Sequence, residues 1–131
     1  MLDVEVIGID AVSDAAPTAV ELEELCALAL SSAGIDEGHM AIEFVDEDRS
    51  RELNRRFRQT DSATDVLSFG VDEDRASAGP RELGDIVICP PRTEDLREAV
   101  VHGALHLSGM DHETDEGEML ALQAELMRWV N

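Results

Sequence analysis

No apolar run in this sequence approaches the roughly 20 residues that a helix needs to cross a bilayer. The longest runs, such as Ile86 to Cys89, are only a few positions long, so a protein outside the membrane is expected. The N-terminus, Met1-Leu2-Asp3-Val4-Glu5, places acids where a secretory signal begins with basic residues and an apolar stretch; a cytoplasmic location is expected. Cysteine is scarce. Cys26 and Cys89 each sit within an apolar pattern, which suits a small buried thiol better than a disulfide or a metal ligand. Lysine is absent: all ten basic residues are arginine, against 30 acids, for a formal charge of -20. That balance opposes polyanionic partners, because nucleic-acid binding normally rests on cationic side chains neutralising phosphates. The distribution qualifies the sum, since Arg49, Arg51, Arg55, Arg56 and Arg58 fall within ten positions and form a basic stripe on an acidic body. Adaptation to a salty cytoplasm would also favour carboxylates without lysine.

What is present suffices for a core. A chain of 131 residues, 44% apolar, fits one domain over residues 1–131. Residues 2–9 alternate apolar and polar as a half-buried strand does. After Pro17, which suits a first helical turn, Val20, Leu25, Leu28 and Ala29 recur at helical spacing until Gly34. Met40 to Val45 reads as a second strand, and Asp46 can cap a helix burying Leu53 and Phe57 and carrying the arginines. Thr64 to Val71 has strand character, and Asp72 to Glu82 is a polar surface connection. Leu83 to Cys89 is apolar enough for a central strand, ended by Pro90-Pro91. A helix then runs from Thr93 to Gly109, and Thr114 opens an amphipathic helix through Met119, Leu122, Leu126 and Trp129. Four strands among these helices predict an α+β domain with a mixed sheet.

Three of the four histidines lie within eleven residues: His102, His106 and His112. Residues four apart on a helix share a face, so His102 and His106 can direct imidazole nitrogens at one ion. The third must come from a chain that turns back, and Gly109 permits the backbone geometry for that return. Three neutral imidazoles leave a fourth position on tetrahedral zinc for water or substrate, which is a catalytic rather than a closed structural arrangement. A purely structural role for the three leaves both the spacing and Gly109 unexplained. Imidazole ligands also compete with protons, so metal release is expected below about pH 6.

The spacing H-x3-H-x5-H is that of the metzincin metalloproteases, which carry a glutamate directly after the first histidine as general base. Here that position is Gly103, so a protease becomes the second reading. His102 to His112, taken with Thr64-Asp65-Val66-Leu67-Ser68-Phe69 and Leu83-Gly84-Asp85-Ile86, resembles the YbeY family of bacterial ribosomal-RNA maturation factors. The resemblance also takes in Leu53-Asn54, Arg58, Met119 and Glu125, and so runs from about residue 40 onward. Met110 departs from it, standing where the family commonly has an aromatic residue. The resemblance implies a zincin-like fold, one zinc ion held by the three histidines, and single-strand endoribonuclease activity in small-subunit ribosomal-RNA maturation and ribosome quality control. The implied partners are ribosomal RNA and the small subunit, with ribosomal proteins or assembly GTPases as further candidates.

Phosphodiester cleavage needs charge stabilisation at phosphorus, and the planar fork of an arginine suits a phosphate. Arg58, at the matching position of the resembled family, is the catalytic candidate. Arg51, Arg55 and Arg58 share a helix face that either tracks an RNA backbone or pairs with carboxylates. Asp85, Asp111 and Glu113 are candidate partners for the second nitrogen of a ligating imidazole, while Thr64 and Asp65 are candidates to hold the loop facing the metal. Two alternatives stand beside the endoribonuclease: a zincin-like metalloprotease, and a non-catalytic zinc-containing binding protein in ribosome biogenesis.

Overall fold

The computed structural model describes residues 2–8, 17–70, 82–110 and 115–130. Within them, β1 (Leu2–Ile7) runs parallel to β2 (Gly38–Phe44), with Leu2 opposite Gly38. Next to β2, also parallel, lies β4 (Glu82–Ile88), and β3 (Val66–Gly70) closes the described sheet antiparallel to β4, giving the order β1-β2-β4-β3. The apolar run of β4 therefore has the interior position expected of it, and β3 is an edge. Of the connection expected over Asp72 to Glu82, Glu82 starts β4 and the rest lies outside the described residues.

Each helix starts at an acceptor side chain. In α1 (Ala19–Ser32), the Thr18 hydroxyl accepts from Glu21 N at 3.2 Å, so Pro17 precedes the cap instead of opening the first turn. In α2 (Glu47–Arg58), Asp46 accepts from Arg49 N at 2.8 Å, as its sequence suggested. For α3 (Leu96–Leu107) the cap is Asp95, so the helix opens later than the expected start at Thr93. The Thr93 hydroxyl donates instead to Cys89 O at 2.8 Å, holding the 3-10 turn over Pro90–Arg92. Asp115 accepts from Met119 N at the start of α4 (Glu118–Val130), whereas Thr114 lies outside the described residues.

α1, α3 and α4 share one face of the sheet around Leu30, Met40, Ile42, Ile86, Val100, Leu105 and Met119. On the other face Leu53 of α2 joins Val45, Leu67, Val87 and Cys89. Both cysteines are free and buried, and burial pushes the Cys26 thiol up to about 12. Three expected core positions are at the surface: Val20 is 63%, Phe57 56% and Trp129 79% exposed. All three occupy the first or last turn of a helix, where the helix overhangs the surface that buries its middle. No helix among the described residues is long and apolar enough to cross a membrane.

Candidate functional site

α3 is the packed centre of the molecule, touching β3, β4, α1 and α4. Its inner face includes Gly103, where an added Cβ would stand 2.8 Å from Ile86 Cγ2 of β4. The opposite side turns His102 and His106 into a cleft of about 1370 Å³, whose lining also includes Arg58, Asp65, Met110 and Gln123. The two imidazoles stand edge to face with centroids 4.8 Å apart and planes at 76°, as the i, i+4 spacing predicts.

The end of α3 is built to hold the second ring. Gly109 adopts φ +103°, its N–H donates to His106 O at 3.0 Å, and Met110 N–H donates to Leu105 O at 3.3 Å. This is a Schellman stop, in which a left-handed residue lets the chain fold back over the last helical turn. The return carries the Met110 carbonyl to 3.0 Å from His106 Nδ1. A carbonyl only accepts, so Nδ1 carries the proton and the lone pair of the neutral ring sits on Nε2. His102 is set the same way, with Nδ1 2.7 Å from Gln123 Oε1 of α4. Both rings are thus held in the tautomer that a ligating histidine uses when its other nitrogen donates to an outer partner. The contact from Met110 is a backbone one, while its side chain packs against the core.

The outer partners of His102 and His106 are Gln123 and the Met110 carbonyl, and of the three expected carboxylates only Asp85 is among the described residues. Asp85 is exposed on β4 and does not line the cleft, because strand alternation directs it away from the face where Ile86 meets α3. Asp111 and Glu113 lie outside the described residues, as does His112. Among the described residues no three His, Cys, Asp or Glu side chains group as a metal site. Gln123 was missed; its signal was a polar residue in register between Met119 and Leu126 on the inner side of an amphipathic helix.

β3 forms the facing wall. Ser50 and Asn54 of α2, both buried, hold the preceding loop: the Ser50 hydroxyl donates to Thr64 O and accepts from Thr64 N, both at 3.0 Å, and Asn54 donates to Ser62 O at 2.9 Å. Asp65 Oδ1 accepts from Val66 N at 2.9 Å and Asp65 O from Cys89 N, so Thr64 and Asp65 shape the loop that faces the histidines. Since Asp65 O points at β4, the period of two turns the Ser68 carbonyl away from β4, along the edge of the described sheet. Arg58 Nη2 donates to that carbonyl at 2.7 Å while the guanidinium lies over the Phe69 ring at 5.6 Å. The arginine stripe therefore divides. Arg51 makes a two-point pair with Asp61 at 2.7 and 3.0 Å, which holds the Asp61 carboxyl below its usual range, and Arg49 pairs with Glu52. Arg58 alone of the expected trio lines the cleft.

Residues 10–131 match the family model described as Endoribonuclease YbeY. The chain belongs to the YbeY endoribonuclease family. Proteins called Endoribonuclease YbeY from Rubrobacter xylanophilus and Stutzerimonas stutzeri are 44% and 42% identical to it, over 82% and 86% of this chain and 81% and 79% of theirs. The solution structure of TM1509 from Thermotoga maritima superposes with a TM-score of 0.55 at 27% identity, covering 94% of this chain and 85% of that one. Membership in the YbeY family agrees with the mixed α+β architecture and with a nuclease.

Proposed function

We propose that residues 1–131 form one zincin-like hydrolase domain: a cytoplasmic, zinc-dependent endoribonuclease that cleaves single-stranded ribosomal RNA in small-subunit maturation and ribosome quality control. The observation that carries the metal is the pair of imidazoles 4.8 Å apart, each with Nδ1 committed to an acceptor. Two nitrogen donors of this kind fit zinc, and His112 is the proposed third ligand. Bound zinc would supply Lewis acidity toward a phosphodiester oxygen. Arg58 uses one donor on Ser68 O; its fork has further N–H groups to offer a phosphate across the cleft.

Two observations weigh against a peptidase. Position 103, where metzincins carry their base, faces Ile86 with no room for a side chain. The outward carbonyl of the edge strand, which an added peptide strand would pair with, is taken by Arg58.

The test is metal analysis together with cleavage of unstructured ribosomal-RNA fragments. The native chain should hold about one zinc and cut. His106→Ala should lose both, whereas Arg58→Ala should keep the metal and lose about 10²- to 10³-fold in kcat, the scale for removing one charge-stabilising donor. Undiminished cleavage by His106→Ala overturns the proposal. Metal retention with no cleavage of any RNA would make the chain a zinc-containing binding protein, and cleavage of peptides alone would make it a protease.

A further inference from the structure

At the C-terminal end of α2, Phe57 leaves 56% of its surface in solvent, although apolar spacing had assigned it to the core. It stands edge-on to the half-buried Phe69 of β3, centroids 5.3 Å apart and planes at 64°. The Arg56 guanidinium lies over the Phe57 ring at 5.5 Å and that of Arg58 over Phe69 at 5.6 Å. Elsewhere in the described residues arginines meet carboxylates: Arg49 with Glu52, Arg51 with Asp61, Arg92 with Glu47, Arg97 with Glu21. Here two of them cover aromatic rings instead. Phe69 shares the sheet face of Leu67 and Val87, away from α3. The patch therefore sits around the β3 edge from the histidines, and Arg58, bonded to the edge carbonyl, belongs to both patch and cleft. The cleft lining also carries Asp65, Glu94, Asp95 and Glu98, and Arg92, which pairs with Glu47. A polyanion at the histidines is repelled by these acids and drawn toward Arg58, the arginine of the described lining that is bonded to a backbone carbonyl and not to a carboxylate.

We propose that Phe57 and Phe69, with Arg56 and Arg58, form a stacking subsite for an unpaired base of single-stranded RNA, beyond the nucleotides held in the cleft, on a strand whose backbone runs over the β3 edge between the two. The proposal rests on the endoribonuclease reading. Every base has a π-face, so an aromatic platform accepts bases without regard to sequence, and guanidiniums beside it add stacking surface and meet the phosphates. The subsite also favours single strands, because a paired base cannot leave its stack without cost.

The experiment compares an unstructured RNA of about 10 nucleotides, long enough to reach the patch, with a dinucleotide confined to the cleft. Phe57→Ala should weaken binding and raise KM for the oligomer by about 5- to 150-fold, leaving kcat and dinucleotide binding unchanged, while Phe57→Tyr restores the affinity. Phe57→Trp, placed in a Trp129→Phe chain so that it is the sole tryptophan, should be quenched by the oligomer and not by the dinucleotide. Equal oligomer affinity in native and Phe57→Ala chains overturns the subsite and leaves the nuclease intact. Unchanged RNA affinity with self-association lost would instead make the patch a protein interface. If the native chain binds no RNA of any length, the nuclease reading itself fails and takes the subsite with it.

Discussion

Gln123 offers a test of the site that needs no substrate. Its amide oxygen lies 2.7 Å from His102 Nδ1, and three consequences follow from that contact: the tautomer, the ring orientation and some added basicity at Nε2. Gln123→Leu keeps the side-chain volume and removes the acceptor. Loss of an outer partner of a metal-bound histidine typically weakens metal affinity by about 10- to 100-fold, or about 1.4–2.7 kcal/mol. Without metal the effect should be smaller, because His102 lines an open cleft and water can take over the Nδ1–H. Gln123→Glu retains an acceptor and makes it anionic, so its zinc affinity should equal or exceed that of the native chain. Competition against a chelator of known affinity gives the zinc dissociation constants, and urea denaturation of the metal-free proteins gives the structural contribution. Native zinc affinity in Gln123→Leu would refute the reasoning, as would equal weakening in the leucine and glutamate variants.

Gly103→Glu, which restores the residue type of a metzincin base, should destabilise the fold by about 3 kcal/mol or more, since it forces a carboxylate against Ile86; a denaturation curve and a peptide-cleavage assay should show lost stability and no peptidase. His39 is bonded to Glu82 at 3.1 Å and stands 3.9 Å from Asp3 and Glu5 on the neighbouring strand. Its pKa is raised, first by the Glu82 hydrogen bond and then by these charges. The stabilisation is therefore complete below the unfolded value of about 6.5 and fades as pH rises through the elevated one; the gap in urea midpoint between native and His39→Gln chains should be widest in mild acid and close in alkali. Burial raises both thiols, Cys26 to about 12, so neither should react with a thiol reagent at neutral pH until denaturant is added.

The strands, the α2 cap and the α3 stop were legible because each is a local event. Asp46 caps α2 and Gly109 stops α3 through contacts within a few residues, and the i, i+4 histidines required only that a helix form. Periodicity also identified the inner face of each helix correctly in its middle. What it could not carry was how far the opposing surface extends, which is why Val20, Phe57 and Trp129 were misplaced. Ser50 and Asn54 fall on the stripe of Leu53 and read as exceptions to it; their buried hydrogen bonds to the loop 60–65 became visible only with that loop in place. Gln123 lies 21 residues from His102, and no local rule links two positions on different helices.

The acidity that argued against RNA has a different meaning once the arginines are located. Indiscriminate nucleic-acid binding draws on summed positive charge, which a chain at -20 lacks. Charges act over only about 8 Å at physiological salt, so the balance at any phosphate is local. Locally, carboxylates occupy Arg49, Arg51, Arg92 and Arg97, and two arginines beside the cleft are committed to rings and a backbone carbonyl instead. Under the proposed function, affinity for RNA then comes from a few short-range contacts, namely a fork at a phosphate, stacking on rings, and a metal on the imidazoles. Each demands an accessible strand with bases free to unstack. Under that proposal the overall negative charge works as a filter: it removes the nonspecific attraction that would hold duplex and single strand alike, and leaves the contacts that distinguish them.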